Sequence, residues 1–274
     1  STAAAGDGDG GGADADDPLA PTYVDALGAW IAETGRGARI LAVEPDGPAA
    51  AAELAPGDLV VRALNGPLDA SGAVATPAPT ATPPGDAVNP ITSGDRLPPV
   101  SVSLADDTAP AVEVVVSRDE TALFARTLER REAPAGPPTA AAATLEDGVL
   151  RLRLAHLLPG AAEALDDAVK AAGGAAAAEA IVLDLRDNPG GSRAELARVA
   201  GRFLRGTVWV ERSADGAETP HEADGPADLS APLVVLTNGG THDEAEMLAA
   251  ALRDGREARL VGEASYGHGT LQTA

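Results

Sequence analysis

The chain has 274 residues with 42 acidic against 20 basic side chains, a formal charge of -22 at pH 7, and a single lysine, Lys170. Such a surface repels polyanions, which argues against nucleic acid and anionic membranes as partners. There is no cysteine and only 2 % of the residues are aromatic, so disulfides and thiolate metal sites are excluded and the cores must be built from Ala, Val and Leu.

The length allows about two domains with buried cores, and no apolar run reaches the roughly 18 residues of a membrane-spanning segment. Residues 1–20 are small, acidic and glycine-rich. They cannot repay the entropy of ordering and read as a flexible tether. Tethers of this composition often follow an export signal or lipid-attachment site, so an extracytoplasmic or surface-tethered location is expected.

Residues 21–133 read as a β-rich module. Ala38–Val43 alternates as a strand, Gly47–Leu54 forms a short helix, and Pro56–Gly66 gives a turn, a strand and a second turn. This string resembles the signature of PDZ modules. The resemblance implies that Leu27, Gly28, Ala29 and Trp30, in the loop before the second strand, bind a peptide carboxylate through backbone N–H groups, the peptide adding as a strand to the sheet edge. A degenerate module that only packs on its neighbour remains open. Residues 67–99 are rich in Pro, Ala and Thr without a period and form an inserted loop. Val112–Val116 supplies a closing strand.

Residues 134–274 alternate between strand and helix patterns. Strands are predicted at Gly148–Leu154, Ala180–Leu185, Leu233–Thr237 and Arg259–Val261, and helices at Gly160–Ala172, Ser192–Leu204 and Thr241–Leu252. Continuous Val, Ile and Leu runs between helices point to an α/β (α+β) layered core.

Two motifs in this core carry chemistry. Asn188-Pro189-Gly190-Gly191 follows a buried strand and opens a helix, which aims backbone amides into the crevice at the strand ends. Asn238-Gly239-Gly240-Thr241-His242-Asp243-Glu244-Ala245-Glu246 precedes another helix and runs on to Tyr266-Gly267-His268-Gly269-Thr270-Leu271-Gln272. Together they resemble the carboxyl-terminal processing peptidases, or tail-specific proteases, whose motifs read N-x-G-S-A-S-A-S-E and T-F-G-K-G-x-x-Q. The resemblance implies a serine nucleophile at Asp243, its lysine base at His268, and the family glutamine at Gln272. It also implies an oxyanion donor at Gly190 or Gly191, and a family core that continues past Gln272. The interval from Asp243 to His268 is 25 residues, as in the family, yet both reacting groups are replaced.

On the residues themselves, Thr241 with Glu244 makes a T-x-x-E capping box, and Asp243 falls in the first helical turn, where the macrodipole favours a carboxylate. An ion pair between Asp243 and His268, within about 4 Å, is the economical expectation. Ser192 reads as a helix N-cap, and His156 and His221 as surface residues. No metal and no cofactor is expected. The resemblance therefore implies a pseudopeptidase that binds peptide or protein C-termini. A hydrolase using Asp243 and His268 on a water, and a purely structural assembly partner, remain open.

Overall fold

The computed structural model describes residues 21–24, 26–34, 36–66, 111–118, 122–129 and 139–268. The expected tether at 1–20, the insert at 67–99 and Gln272 lie outside the described residues.

The N-terminal part is a six-stranded antiparallel sheet in chain order: β1 (Thr22–Val24), β2 (Ala29–Thr34), β3 (Gly37–Val43), β4 (Leu59–Gly66), β5 (Ala111–Arg118) and β6 (Ala122–Glu129). Period-two alternation explains the packing. Val112, Val114 and Val116 of β5 face inward with Ile31, Ile40 and Val60. A short helix α1 (Pro48–Ala51) lies between β3 and β4, started by Pro48, whose fixed φ suits a first helical position. Only four of the residues expected to be helical adopt it.

The C-terminal part is a five-stranded sheet with strand order β13-β12-β9-β8-β7. Its strands are β7 (Ala141–Glu146), β8 (Val149–Leu154), β9 (Ala180–Asp184), β12 (Leu233–Thr237) and β13 (Arg259–Gly262). β8, β9, β12 and β13 run parallel and only β7 is antiparallel. The helices are α2 (Ala161–Ala171), α3 (Arg193–Ala200) and α4 (Asp243–Arg256). Leu165, Leu196 and Leu248 from these helices pack with Leu152, Ile181, Leu183 and Val235 of the sheet in one cluster.

The strands expected to be continuously buried instead alternate. Ile181 and Leu183 are fully inside while Val182 is half-buried, and Val235 is inside while Val234 and Leu236 are half-buried. The helix-covered face takes every second residue. The structure also contains strands with no clear sequence signal: the alanine-rich β7 and an exposed, charge-bearing hairpin of β10 (Thr207–Arg212) and β11 (Glu218–Glu222).

Leu41 and Ala42 of β3 pack on Leu158 of the C-terminal part, flanked by Trp30 and Ala32. This contact joins β3 to the segment that follows β8.

Candidate functional site

The crevice forms where β9 and β12 end, because parallel strands deliver their following loops to the same edge of the sheet. Beyond β9, Asn188 is fully buried and ties the loop down. Its Nδ2 donates to the Leu154 carbonyl at 3.0 Å and its Oδ1 accepts from the Gly190 N–H at 2.9 Å. Its own carbonyl accepts from the His242 N–H at 2.9 Å. Gly191 lies against the backbone of Leu157, where an added Cβ would stand 2.2 Å from a carbonyl oxygen, so no side chain fits. Ser192 caps α3, its Oγ accepting from the Glu195 N–H.

Beyond β12, Asn238 bridges the two loops. Its Oδ1 accepts from the Asp187 N–H at 2.9 Å and its Nδ2 donates to Asp187 Oδ1 at 2.8 Å. The expected capping box does not form. Helix α4 starts at Asp243 with His242 as its N-cap, and the His242 side chain makes no capping hydrogen bond. The Thr241 hydroxyl instead donates to the Leu185 carbonyl at 2.9 Å and accepts from the Asn238 N–H at 3.1 Å. A hydroxyl buried between two strand ends satisfies those backbone groups rather than the helix.

Asp243 takes φ +47°, a left-handed conformation costly for a residue other than glycine. Its N–H donates to Glu246 Oε2 at 3.1 Å. The same Glu246 carboxylate accepts from the N–H groups of Gly267 at 2.6 Å and His268 at 3.0 Å. One side chain thus fastens the returning segment to the head of α4 and sets His268 beside Asp243.

The ring Nδ1 of His268 stands 2.8 Å from Asp243 Oδ1, and its Nε2 is 3.4 Å from the Arg36 guanidinium. Arginine can only donate, so these contacts place the proton on Nδ1, where the carboxylate accepts it. The other Asp243 oxygen faces Arg39 Nε at 3.4 Å; Arg39 comes from β3 and is only 4 % exposed. Its guanidinium lies 5.2 Å from the centre of the Tyr266 ring. Tyr266 also meets the rings of His242 and His268 at 4.1 and 4.6 Å.

Two groups here are strongly perturbed. Burial, with help from Arg39 and His268, pushes the His242 pKa down to about 3. Burial pushes Glu244 up to about 7, with Asp243 adding to the rise and the Gly191 N–H opposing it.

The structure therefore brings Asp243, His268, Gly190 and Gly191 to one place. The amides of the glycine pair, expected to be open donors, are both engaged: Gly190 by Asn188, and Gly191 by Glu244 Oε2 at 3.0 Å. Leu27, Gly28, Ala29 and Trp30 lie in the N-terminal part. The N–H groups of Leu27 and Gly28 both donate to the Val24 carbonyl at 3.0 and 2.9 Å. The edge of β2 at Ala29–Ile31 is already paired with β1. His156, expected at the surface, is 3 % exposed, and its Nδ1 accepts from the Leu158 N–H at 3.3 Å. His221 is half-buried and stacks on Trp209 at 4.3 Å. Sequence reading missed Arg36, Arg39, Glu244 and Tyr266. The arginines lie some two hundred positions away in the chain and gave no local signal. Glu244 looked like half of a cap.

Residues 148–274 match the model of peptidase family S41. The carboxyl-terminal-processing protease of Synechocystis sp. is 39 % identical over 97 residues, which are 35 % of this chain and 23 % of that protein. The carboxy-terminal processing protease CtpA of Bacillus subtilis is 36 % identical over 100 residues, 35 % of this chain and 21 % of that protein. The matches thus span less than a quarter of the length of these relatives. Among solved structures, a photosystem II D1 C-terminal processing protease superposes with a TM-score of 0.56 at 22 % identity, covering 94 % of this chain and 69 % of that one. At that identity the likeness speaks for the fold.

Proposed function

This chain belongs, through residues 148–274, to peptidase family S41, and from that premise we propose that it is a pseudopeptidase, binding the carboxyl ends of polypeptides without cutting them. The observation that carries the reading is the closed pair at the reacting positions. Asp243 and His268 are bound to each other at 2.8 Å, and each is covered from outside by an arginine, Arg39 and Arg36. A serine mechanism needs a hydroxyl whose proton passes to a base. Here a carboxylate accepts the proton of the candidate base, and the Nε2 lone pair that could activate a water faces a guanidinium.

The ligand class comes from the relatives, named for processing carboxyl termini. An incoming chain end would take the place of β1, only three residues long, on the edge of β2, using main-chain hydrogen bonds for affinity. An extracytoplasmic location belongs to the same proposal and is supported by the composition of residues 1–20.

The test is incubation with an unstructured casein-like protein, and with peptides ending in small apolar residues with a free or an amidated carboxyl group. We expect no cleavage, no labelling by a serine-directed fluorophosphonate, and tighter binding of the free acid. Cleavage abolished by Asp243→Asn would establish the hydrolase in its place, and equal binding of the acid and the amide would remove the carboxyl-end assignment.

A further inference from the structure

Resting on that reading and going beyond it, we infer that the Glu244 side chain is the built-in occupant of the amide cradle at Gly190–Gly191, so that no ligand oxygen, whether a peptide carbonyl or a carboxylate, is received there while it is in place. Glu244 Oε2 accepts from the Gly191 N–H at 3.0 Å. The same oxygen lies 2.7 Å from the point where a Cβ on Gly190 would stand, and the Asp243 Cβ lies 3.1 Å from that point. The oxygen therefore rests against the bare face of Gly190, beside the residue at the nucleophile position.

A cradle for a developing oxyanion places its donors about 2.7–3.1 Å from the oxygen. Glu244 meets that distance with an oxygen of its own. The other amide is withdrawn independently, because Asn188 Oδ1 holds the Gly190 N–H.

Local geometry keeps the plug seated. Glu244 is the second residue of α4, so its short tether keeps the carboxyl beside the Gly190–Gly191 loop. At 7 % exposure its carboxyl group has little water with which to replace the Gly191 N–H. Burial and the neighbouring Asp243 weaken its acidity, as expected of a group held in the dry interior of the cradle. The missing nucleophile and base are thus not the only obstacle to the family chemistry. The receiving end of the site is filled as well.

The test follows the Gly191 amide in proton–nitrogen spectra of the full chain labelled on glycine, with N-acetylalanine as the carboxylate probe. In the wild-type chain the Gly191 N–H should exchange slowly with solvent and should not move as the probe is added. In Glu244→Ala it should exchange faster and shift saturably with the probe. Glu244→Ser provides the same vacancy if the alanine variant does not fold.

A saturable Gly191 shift in the wild-type chain, a fast-exchanging Gly191 N–H in the wild-type chain, or a folded Glu244 variant blind to the probe would each overturn the inference. None of these readouts depends on cleavage or on binding at β2. The pseudopeptidase reading can therefore fail, through a cleaved substrate, while the plug stands, and the plug can fail while the chain remains inert.

Discussion

Glu244→Gln is the most informative single substitution, because it preserves the shape of the plug and removes its titration. In the folded chain the Glu244 carboxyl has a pKa of about 7 against an ordinary 4.5. Between those two values the folded chain keeps a proton that the unfolded chain has released, so stability falls as pH rises through that window. A shift of about 2.5 units at about 1.36 kcal/mol per unit makes the loss about 3 kcal/mol. The group is almost wholly buried, so little of this is screened by solvent. His242 acts in the opposite sense. Its folded pKa of about 3, against an ordinary 6.5, costs stability as pH falls below 6.5. The two windows overlap, and the wild-type profile should be nearly flat between about pH 4.5 and 6.5. The assay is urea unfolding of the wild-type and Glu244→Gln chains from about pH 4.5 to about pH 8, taking the difference in free energy at each pH. The Glu244→Gln variant should gain about 3 kcal/mol relative to the wild type across that range. A difference that stays within about 0.5 kcal/mol throughout, or that grows toward acid, would refute the placement of a neutral carboxyl against Gly191.

Further outcomes follow from the same geometry. His242→Asn should abolish the loss of stability as pH falls from 4.5 to 3 and, by leaving Glu244 unopposed, make stability rise as pH falls from 6.5 to 4.5; a profile that keeps the wild-type shape would show that His242 is not held neutral by burial. Gly190→Ala forces a side chain onto φ +93° and to within 2.7 Å of Glu244; the expected loss is about 2–4 kcal/mol, and an unchanged melting temperature would contradict it. Arg39→Met removes a buried guanidinium from Asp243 and Tyr266 and should cost about 2–4 kcal/mol in urea unfolding, whereas a loss below about 0.5 kcal/mol would show that the contact between the two sheets is incidental. The double change Asp243→Ser with His268→Lys should remain without casein cleavage because Glu244 still fills the cradle, and adding Glu244→Ala should be needed for any gain; a double variant as active as the triple would speak against the plug.

The sequence alone determined what depends on local pattern. Val, Ile and Leu runs located β9 and β12, helical spacing located α2 to α4, and the match of two motifs across an interval of 25 residues anticipated that Asp243 and His268 meet. Parallel strands joined by helices deliver their loops to one edge, so residues following β9 and β12 were bound to converge. Helix starts were less legible. The T-x-x-E pattern fits a capping box, but the Thr241 hydroxyl found the Leu185 carbonyl across the crevice and Glu244 found Gly191. A buried polar group takes whichever partner the packing offers, and sequence spacing cannot rank partners fifty positions apart. Only the tertiary structure decided which groups close the site. Arg36 and Arg39 reach His268 and Asp243 because Leu41, Ala42 and Leu158 pack the two sheets together. His156, which sequence had left at the surface, is buried and accepts from the Leu158 N–H. Hydrophobic contact between elements far apart in the chain sets those distances, and it leaves no period or motif at the residues whose charges it brings together.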